Sequence, residues 1–136
     1  MKVLVGTDEA NPVVEHVATW LQRHGHQAEM LAPALWPLAA RGVAKAVASG
    51  AADEGILFCW TGTGVSIAAN KVAGIRAALC ADAETARGAR LWNNANVLCL
   101  SLRTTTPALA SEILESWFGT QYVPNPGDDA CLVDLE

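Results

Sequence analysis

The sequence has no run of about 20 apolar residues that would cross a membrane as a helix. Its opening Met1-Lys-Val-Leu-Val-Gly6 carries a charge and then an apolar stretch only as long as a strand. That is too short for the apolar region of a secretory signal, so neither secretion nor membrane insertion is expected. A basic cluster is also missing: nine Lys and Arg are scattered among fourteen Asp and Glu, for a formal net charge of −5. Such a chain has nothing with which to displace counterions from a phosphate backbone, which argues against nucleic acid as a partner. The four cysteines, Cys59, Cys80, Cys99 and Cys131, form no Cys-x-x-Cys pair. Neither a metal site nor a disulfide framework is indicated, and free thiols fit a cytoplasmic location. Repeats and low-complexity segments do not occur.

What is present fits one domain over residues 1–136, long enough to bury a core. With 51% hydrophobic and 17% charged residues, the surface has apolar area to spare for a subunit interface, and an oligomer is expected. Lys2 to Thr7 reads as a buried strand, followed by a helix that Asn11 caps and Pro12 starts and that Gly25 stops. Further strands are expected over 27–31, 56–59, 75–80 and 95–100, and further helices over 38–49, 65–71, 83–91 and 107–117, with Asp82 capping the third of these. Residues 33–37, including Trp36, read as loop. Strands alternating with helices mean an α/β fold whose parallel sheet is covered on both faces, with ligands at the carboxyl ends of the strands. The segment 124–136 is acidic, with Asp128, Asp129, Asp134 and Glu136 and no basic residue. It reads as an arm lying on another subunit or as a frayed terminus.

The chain is organised around Gly55-Ile-Leu-Phe-Cys-Trp-Thr-Gly-Thr-Gly-Val-Ser-Ile-Ala-Ala-Asn-Lys71, in which a strand runs through a glycine turn into a helix. Gly62 and Gly64 admit backbone angles closed to other residues and let a ligand come near the main chain. The free N–H groups of the following helix make a seat for an oxyanion or a phosphate. The turn has neither the Gly-x-Gly-x-x-Gly spacing of a dinucleotide fold nor the lysine of a P-loop. Its distinguishing feature is Cys59 at the end of the strand, near the Thr61 hydroxyl. A lone cysteine in an apolar strand most often only packs. A thiol there becomes a base or nucleophile where the helix terminus favours its thiolate.

Taken together, Gly6-Thr-Asp8, Ala46-Val-Ala-Ser-Gly50, the block from Cys59 to Lys71, Gly74-Ile-Arg-Ala-Ala-Leu-Cys80, Asn93-Asn-Ala-Asn-Val-Leu98 and Arg103 resemble the ribose-5-phosphate isomerase B family. That family also contains the galactose-6-phosphate isomerase subunits. The likeness runs from Met1 to about Trp117. It implies a three-layer Rossmann-like domain with a five-stranded parallel sheet, assembled as a homodimer or homotetramer with the active site shared between subunits. It also implies aldose–ketose interconversion through an enediol, without metal or organic cofactor, on a small-molecule sugar or sugar phosphate. By the same resemblance Cys59 is the proton-shuttling base, and the turn Gly62, Thr63, Gly64 stabilises the enediolate oxygen. Thr61, Asp8 and Asn93 would hold sugar oxygens, and Arg103 occupies a phosphate-contacting position. Asp8 and Asn93 also read as ordinary loop caps.

Several positions depart from the family pattern. Glu9 and Trp92 stand where histidines are usual, so ring opening falls to Asp8 or Glu9, happens in solution, or is not needed. His16, His24 and His26 lie in and after the first helix and are expected to be exposed. The family's tail carries arginines where this chain has Asn125-Pro-Gly-Asp-Asp-Ala-Cys-Leu-Val-Asp134. Trp60 replaces a glycine, Trp36 replaces a tyrosine, and Ala39 replaces a second one. Trp36, Trp60 and Trp92 thus make an aromatic pocket, or each fills core or interface space. Three readings follow. The first is an isomerase or epimerase acting on a non-standard or unphosphorylated sugar. The second is ordinary isomerisation of ribose 5-phosphate and ribulose 5-phosphate. The third is a non-catalytic sugar-binding or partner subunit.

Overall fold

Five short segments, all but β2 largely apolar, form parallel strands: β1 (Lys2–Thr7), β2 (Gln27–Met30), β3 (Glu54–Cys59), β4 (Ala77–Leu79) and β5 (Val97–Ser101). The helices are α1 (Pro12–Arg23), α2 (Trp36–Ser49), α3 (Thr63–Ala69), α4 (Ala83–Asn93), α5 (Pro107–Gly119) and α6 (Pro126–Val133). This is a computed structural model that describes residues 1–135. Side chains alternate across the sheet because the strand period is two. Val3, Val5, Ile56, Phe58, Leu98 and Leu100 pack with residues of α1, α4 and α5. Leu4, Leu57, Cys59, Val97 and Cys99 pack with residues of α2 and α3. The fold is the expected three-layer α/β arrangement. No helix among the described residues is long and apolar enough to cross a membrane.

The strand order is β2-β1-β3-β5-β4. β1 therefore has its successor β2 on one side and β3 on the other, so a crevice opens where the crossovers diverge, at the carboxyl ends of β1 and β3. Asp8 follows the first of these ends and Cys59 closes the second. The Asp8 amide donates to the Phe58 carbonyl at 3.3 Å, which ties the two ends together.

Local signals set most boundaries. The side chains of Asn11, Asp82 and Thr106 accept from the amides of Val13, Thr85 and Leu109, each at the start of its helix. α2 begins at Trp36 rather than after Pro37, because proline is tolerated in the first helical turn. α3 likewise begins two residues before Val65. β4 is shorter than the expected 75–80. The Arg76 amide is taken by Asn96 Oδ1 at 2.8 Å, and Asn96 Nδ2 donates to the Gly74 carbonyl at 3.0 Å, so a side chain holds this stretch in place of a strand ladder. The acidic tail holds a helix: Asn125 accepts from the Asp128 amide at 2.9 Å, and Asp128 and Asp129 sit in the first turn, where negative charge is favoured. Glu136 lies outside the described residues.

A buried charge network fixes the foot of the central strand. Glu54 Oε2 lies 2.8 Å from Arg90 Nη1, and Glu54 Oε1 accepts from Trp117 Nε1 at 2.8 Å. Arg90 also donates to the Ala95 and Trp117 carbonyls, and its guanidinium lies 4.8 Å from the Trp117 ring centre. Burial pushes the Glu54 carboxyl above its ordinary value, and the Arg90 charge and the two donated hydrogen bonds pull against it. Removing one partner leaves the other charge buried and uncompensated. Glu54→Ala is expected to cost about 3–5 kcal/mol in denaturant unfolding, and Glu54→Met combined with Arg90→Met to cost less than either single change.

Candidate active site

Cys59 is 5% exposed and forms part of the core under α2 and α3. It nonetheless borders a cavity of about 290 Å³ at the crevice between β1 and β3. Asp8, Thr61, Thr63 and Gly64 border the same cavity, as do Trp36 and Trp60. Asp8 Oδ1 is buried and is the one buried side-chain nitrogen or oxygen among the described residues without a hydrogen-bond partner.

The turn after β3 has steric reasons for its glycines. Gly62 sits at φ 76°, and a Cβ there would come within 2.5 Å of Leu79 Cδ1 and 3.0 Å of the Leu100 carbonyl carbon. A Cβ on Gly64 would come within 2.9 Å of Trp36 Cε3. What approaches these glycines is the chain itself, β5 at the first and an indole ring at the second. The first intrahelical bond runs from the Ser66 amide to the Gly62 carbonyl at 3.3 Å. The amides of Thr63, Gly64 and Val65 thus precede the helix ladder. Thr61 Oγ1 and Thr63 Oγ1 are hydrogen-bonded at 2.7 Å. Ser101, which the sequence did not single out, donates to the Trp60 carbonyl at 2.9 Å and accepts from the Thr104 amide at 3.2 Å, and so braces the turn against β5. A hydroxyl at the end of an otherwise apolar strand was its only signal.

The remaining candidates are distributed around this cavity. Arg103 is exposed in an adjoining concavity of about 220 Å³ that Thr61 also borders. Glu9 binds Thr7 through its backbone: its carbonyl accepts from Thr7 Oγ1 at 2.7 Å, and its side chain is exposed and borders no part of the Cys59 cavity. Asn93 ends α4 and borders cavities beside β4, apart from Cys59. Trp92 lies over Gly88 with Arg87 5.9 Å from its ring centre. Within one chain, then, the aromatic pocket consists of Trp36 and Trp60 without Trp92. Of the histidines, His24 is exposed as expected and the other two are less so. His16 and His26 are half-buried, His16 Nε2 pairs with Ser111 Oγ at 2.8 Å, and His24 stacks on Trp20 with ring centres 3.8 Å apart. None of the three borders the Cys59 cavity.

The other thiols are in different surroundings. Burial pushes Cys80 up to about 12 and Cys99 well above the thiol range, which keeps both protonated at neutral pH, while Cys131 is exposed.

A family model described as Ribose/Galactose Isomerase matches residues 3–130. The ribose-5-phosphate isomerase B of Escherichia coli strain K12 is 39% identical over 129 residues, covering 89% of this chain and 85% of the relative. The galactose-6-phosphate isomerase subunit LacB of Clostridium acetobutylicum is 35% identical over 142 residues, covering 100% of this chain and 82% of the relative. Among solved structures, the type B ribose 5-phosphate isomerase of Trypanosoma brucei aligns with a TM-score of 0.94 at 41% identity, covering 98% of this chain and 95% of that one.

Two measurements test this geometry. In native protein a maleimide followed by mass spectrometry is expected to label Cys131 first and Cys59 more slowly through its cavity, with Cys80 and Cys99 labelled only after unfolding. Labelling of Cys80 as fast as that of Cys131 would contradict the burial described. Gly62→Ala, forced into a left-handed conformation against β5, is expected to lower unfolding stability by about 1–3 kcal/mol.

Proposed function

This chain belongs to the ribose/galactose isomerase family, and from that membership we propose that it is an aldose–ketose isomerase moving one proton between adjacent sugar carbons through an enediolate, with Cys59 as the base. One observation carries the reading: Cys59 and Asp8 border the same cavity. Asp8 Oδ1 is enclosed and has no hydrogen-bond partner, a buried acceptor without a donor costs about 1–3 kcal/mol, and rotation of the carboxylate toward a sugar hydroxyl in the cavity removes this cost.

In the proposed step the Cys59 thiolate takes the proton from the carbon beside the carbonyl. The electron pair released moves onto the carbonyl oxygen, and the free amides after Gly62 receive that charge. Thr61 holds one of the two sugar oxygens. Return of the proton to the former carbonyl carbon, with the neighbouring hydroxyl passing its own proton to the enediolate oxygen and becoming the new carbonyl, completes the isomer. Return to the original carbon on the opposite face gives an epimer. Asp8, rather than Glu9, is placed to accept the anomeric hydroxyl proton of a closed ring.

The only ionisable side chain besides the thiol bordering the cavity is the carboxylate of Asp8, which favours an unphosphorylated or otherwise modified sugar. Arg103, exposed in the concavity next door, favours the second reading, in which that concavity takes the phosphate of an ordinary pentose phosphate. The position of Asn93, remote from Cys59 in its own chain, supports a site completed by a second copy in a homodimer or homotetramer.

The test is solvent exchange. In deuterated water the wild type is expected to label the carbon beside the carbonyl of its substrate, Cys59→Ala to lower that rate by about 10²–10⁴-fold, and Asp8→Asn to slow closed-ring sugars more than open-chain ones. Labelling by Cys59→Ala at the wild-type rate would remove the thiol from the mechanism. Competition by inorganic phosphate would select the second reading.

A further inference from the structure

Trp60 is 55% exposed although its backbone carbonyl takes two hydrogen bonds. Its carbonyl accepts from Ser101 Oγ at 2.9 Å and from the Arg103 amide at 3.0 Å, and the preceding carbonyl, that of Cys59, accepts from the Leu102 amide at 2.9 Å. A large apolar ring is thus presented to the outside on a rigid mount, one residue beyond the thiol. It borders the cavity that holds Cys59 and Asp8. Trp36, 43% exposed, borders the same cavity, and its ring occupies the space a side chain at position 64 would need. Among the described residues of one chain the cavity therefore has a thiol, a carboxylate and two indole walls, and no cation.

Resting on the isomerase reading above, we infer that Trp60, backed by Trp36, is the specificity-determining residue of this site, an aromatic platform that takes the C–H face of an uncharged sugar.

The chemistry of the lining is the argument. A phosphate needs donors in sets, usually forked arginine contacts, and would here meet the Asp8 carboxylate. A sugar without phosphate offers hydroxyls at its edge and a patch of C–H groups on its face. The hydroxyls suit the orphan Asp8 oxygen, and the C–H patch suits the electron-rich face of an indole, which gives a large contact area with few rotatable bonds. A pocket of apolar walls with a few convergent polar groups is the usual form of a small-molecule site. Trp60 holds the substrate equally before and during proton transfer, so its loss should raise KM and leave kcat nearly unchanged.

The experiment compares D-ribose with ribose 5-phosphate, and then a wider panel of aldoses, on wild type, Trp60→Gly and Trp60→Phe. On the best unphosphorylated aldose, Trp60→Gly is expected to raise KM about tenfold with kcat within about twofold, and Trp60→Phe to restore most of the loss. The preference for aldose over its phosphate ester should fall by the same factor. Unfolding curves superimposed on wild type establish that the variant is folded, as expected for a ring half in solvent. An unchanged KM in Trp60→Gly overturns the inference. So does a shift in sedimentation to smaller species without a change in the substrate ratio, which would make the ring a contact between copies. Failure of the isomerase reading would look different: no solvent exchange by wild type on any sugar, or exchange that survives Cys59→Ala.

Discussion

The central strand is anchored at its foot by charge and carries at its tip the thiol that borders the cavity. Glu54, the first residue of β3, is held by Arg90 from α4 and Trp117 from α5, so three elements distant in sequence meet at one carboxylate. Six residues of β3 run from that anchor to Cys59, and with both flanks paired to β1 and β5 the strand has little freedom along its axis. The position of the thiol relative to Asp8 on one side and Ser101 on the other is therefore set by the sheet register. A buried ion pair contributes little net stability once desolvation is counted, and its clearer effect is to permit one arrangement and penalise others.

The crevice above this strand is polar on one wall and aromatic on the others. Proton transfer next to a carbonyl needs a base, donors for the developing oxygen charge and a way to orient the sugar. Cys59 and the turn amides are suited to the first two. Orientation is where the chain departs from the family pattern, with Glu9 and Trp92 in the usual histidine positions and Trp60 in place of a glycine. Two of these departures differ in kind: Glu9 is exposed and does not border the cavity, whereas Trp60 does. The helix α6 carries Asp128 and Asp129 in its first turn and no basic residue, so the tail of this chain offers no charge that would attract a dianion.

Most of the fold was legible because it rests on local signals that act over a few residues. Asn11 with Pro12, Asp82 and the alternating apolar runs of β1, β3 and β5 each announce themselves. The misreadings have a common cause in side chains that stand in for backbone. Asn96 takes over hydrogen bonds that the sequence assigns to a longer β4, and Pro37 sits inside a helix turn that tolerates it. α6 went unread because it buries no residue, so it has no apolar stripe, although Asn125-Pro126 repeats the signal of Asn11-Pro12. At the site, Cys59, Thr61, Thr63, Gly64 and Asp8 were readable from the strand–turn–helix pattern and the resemblance. That Glu9 lies outside the cavity, that Trp92 lies over Gly88, and that the space at Gly64 belongs to Trp36 are tertiary facts that no window of sequence contains.

Asn70 gives the sheet an unusual border. Its side-chain amide donates to the Ala77 carbonyl at 2.9 Å and accepts from the Ala77 amide at 2.8 Å, so a carboxamide plays the part of one more strand against the outer side of β4. An open strand edge is a template for continuation by another molecule, and here the first residue of a three-residue edge is already sealed by a false rung. Ageing chemistry that converts this amide to an acid would exchange a donor for a second acceptor, set two oxygens against each other at Ala77, and unseal the border.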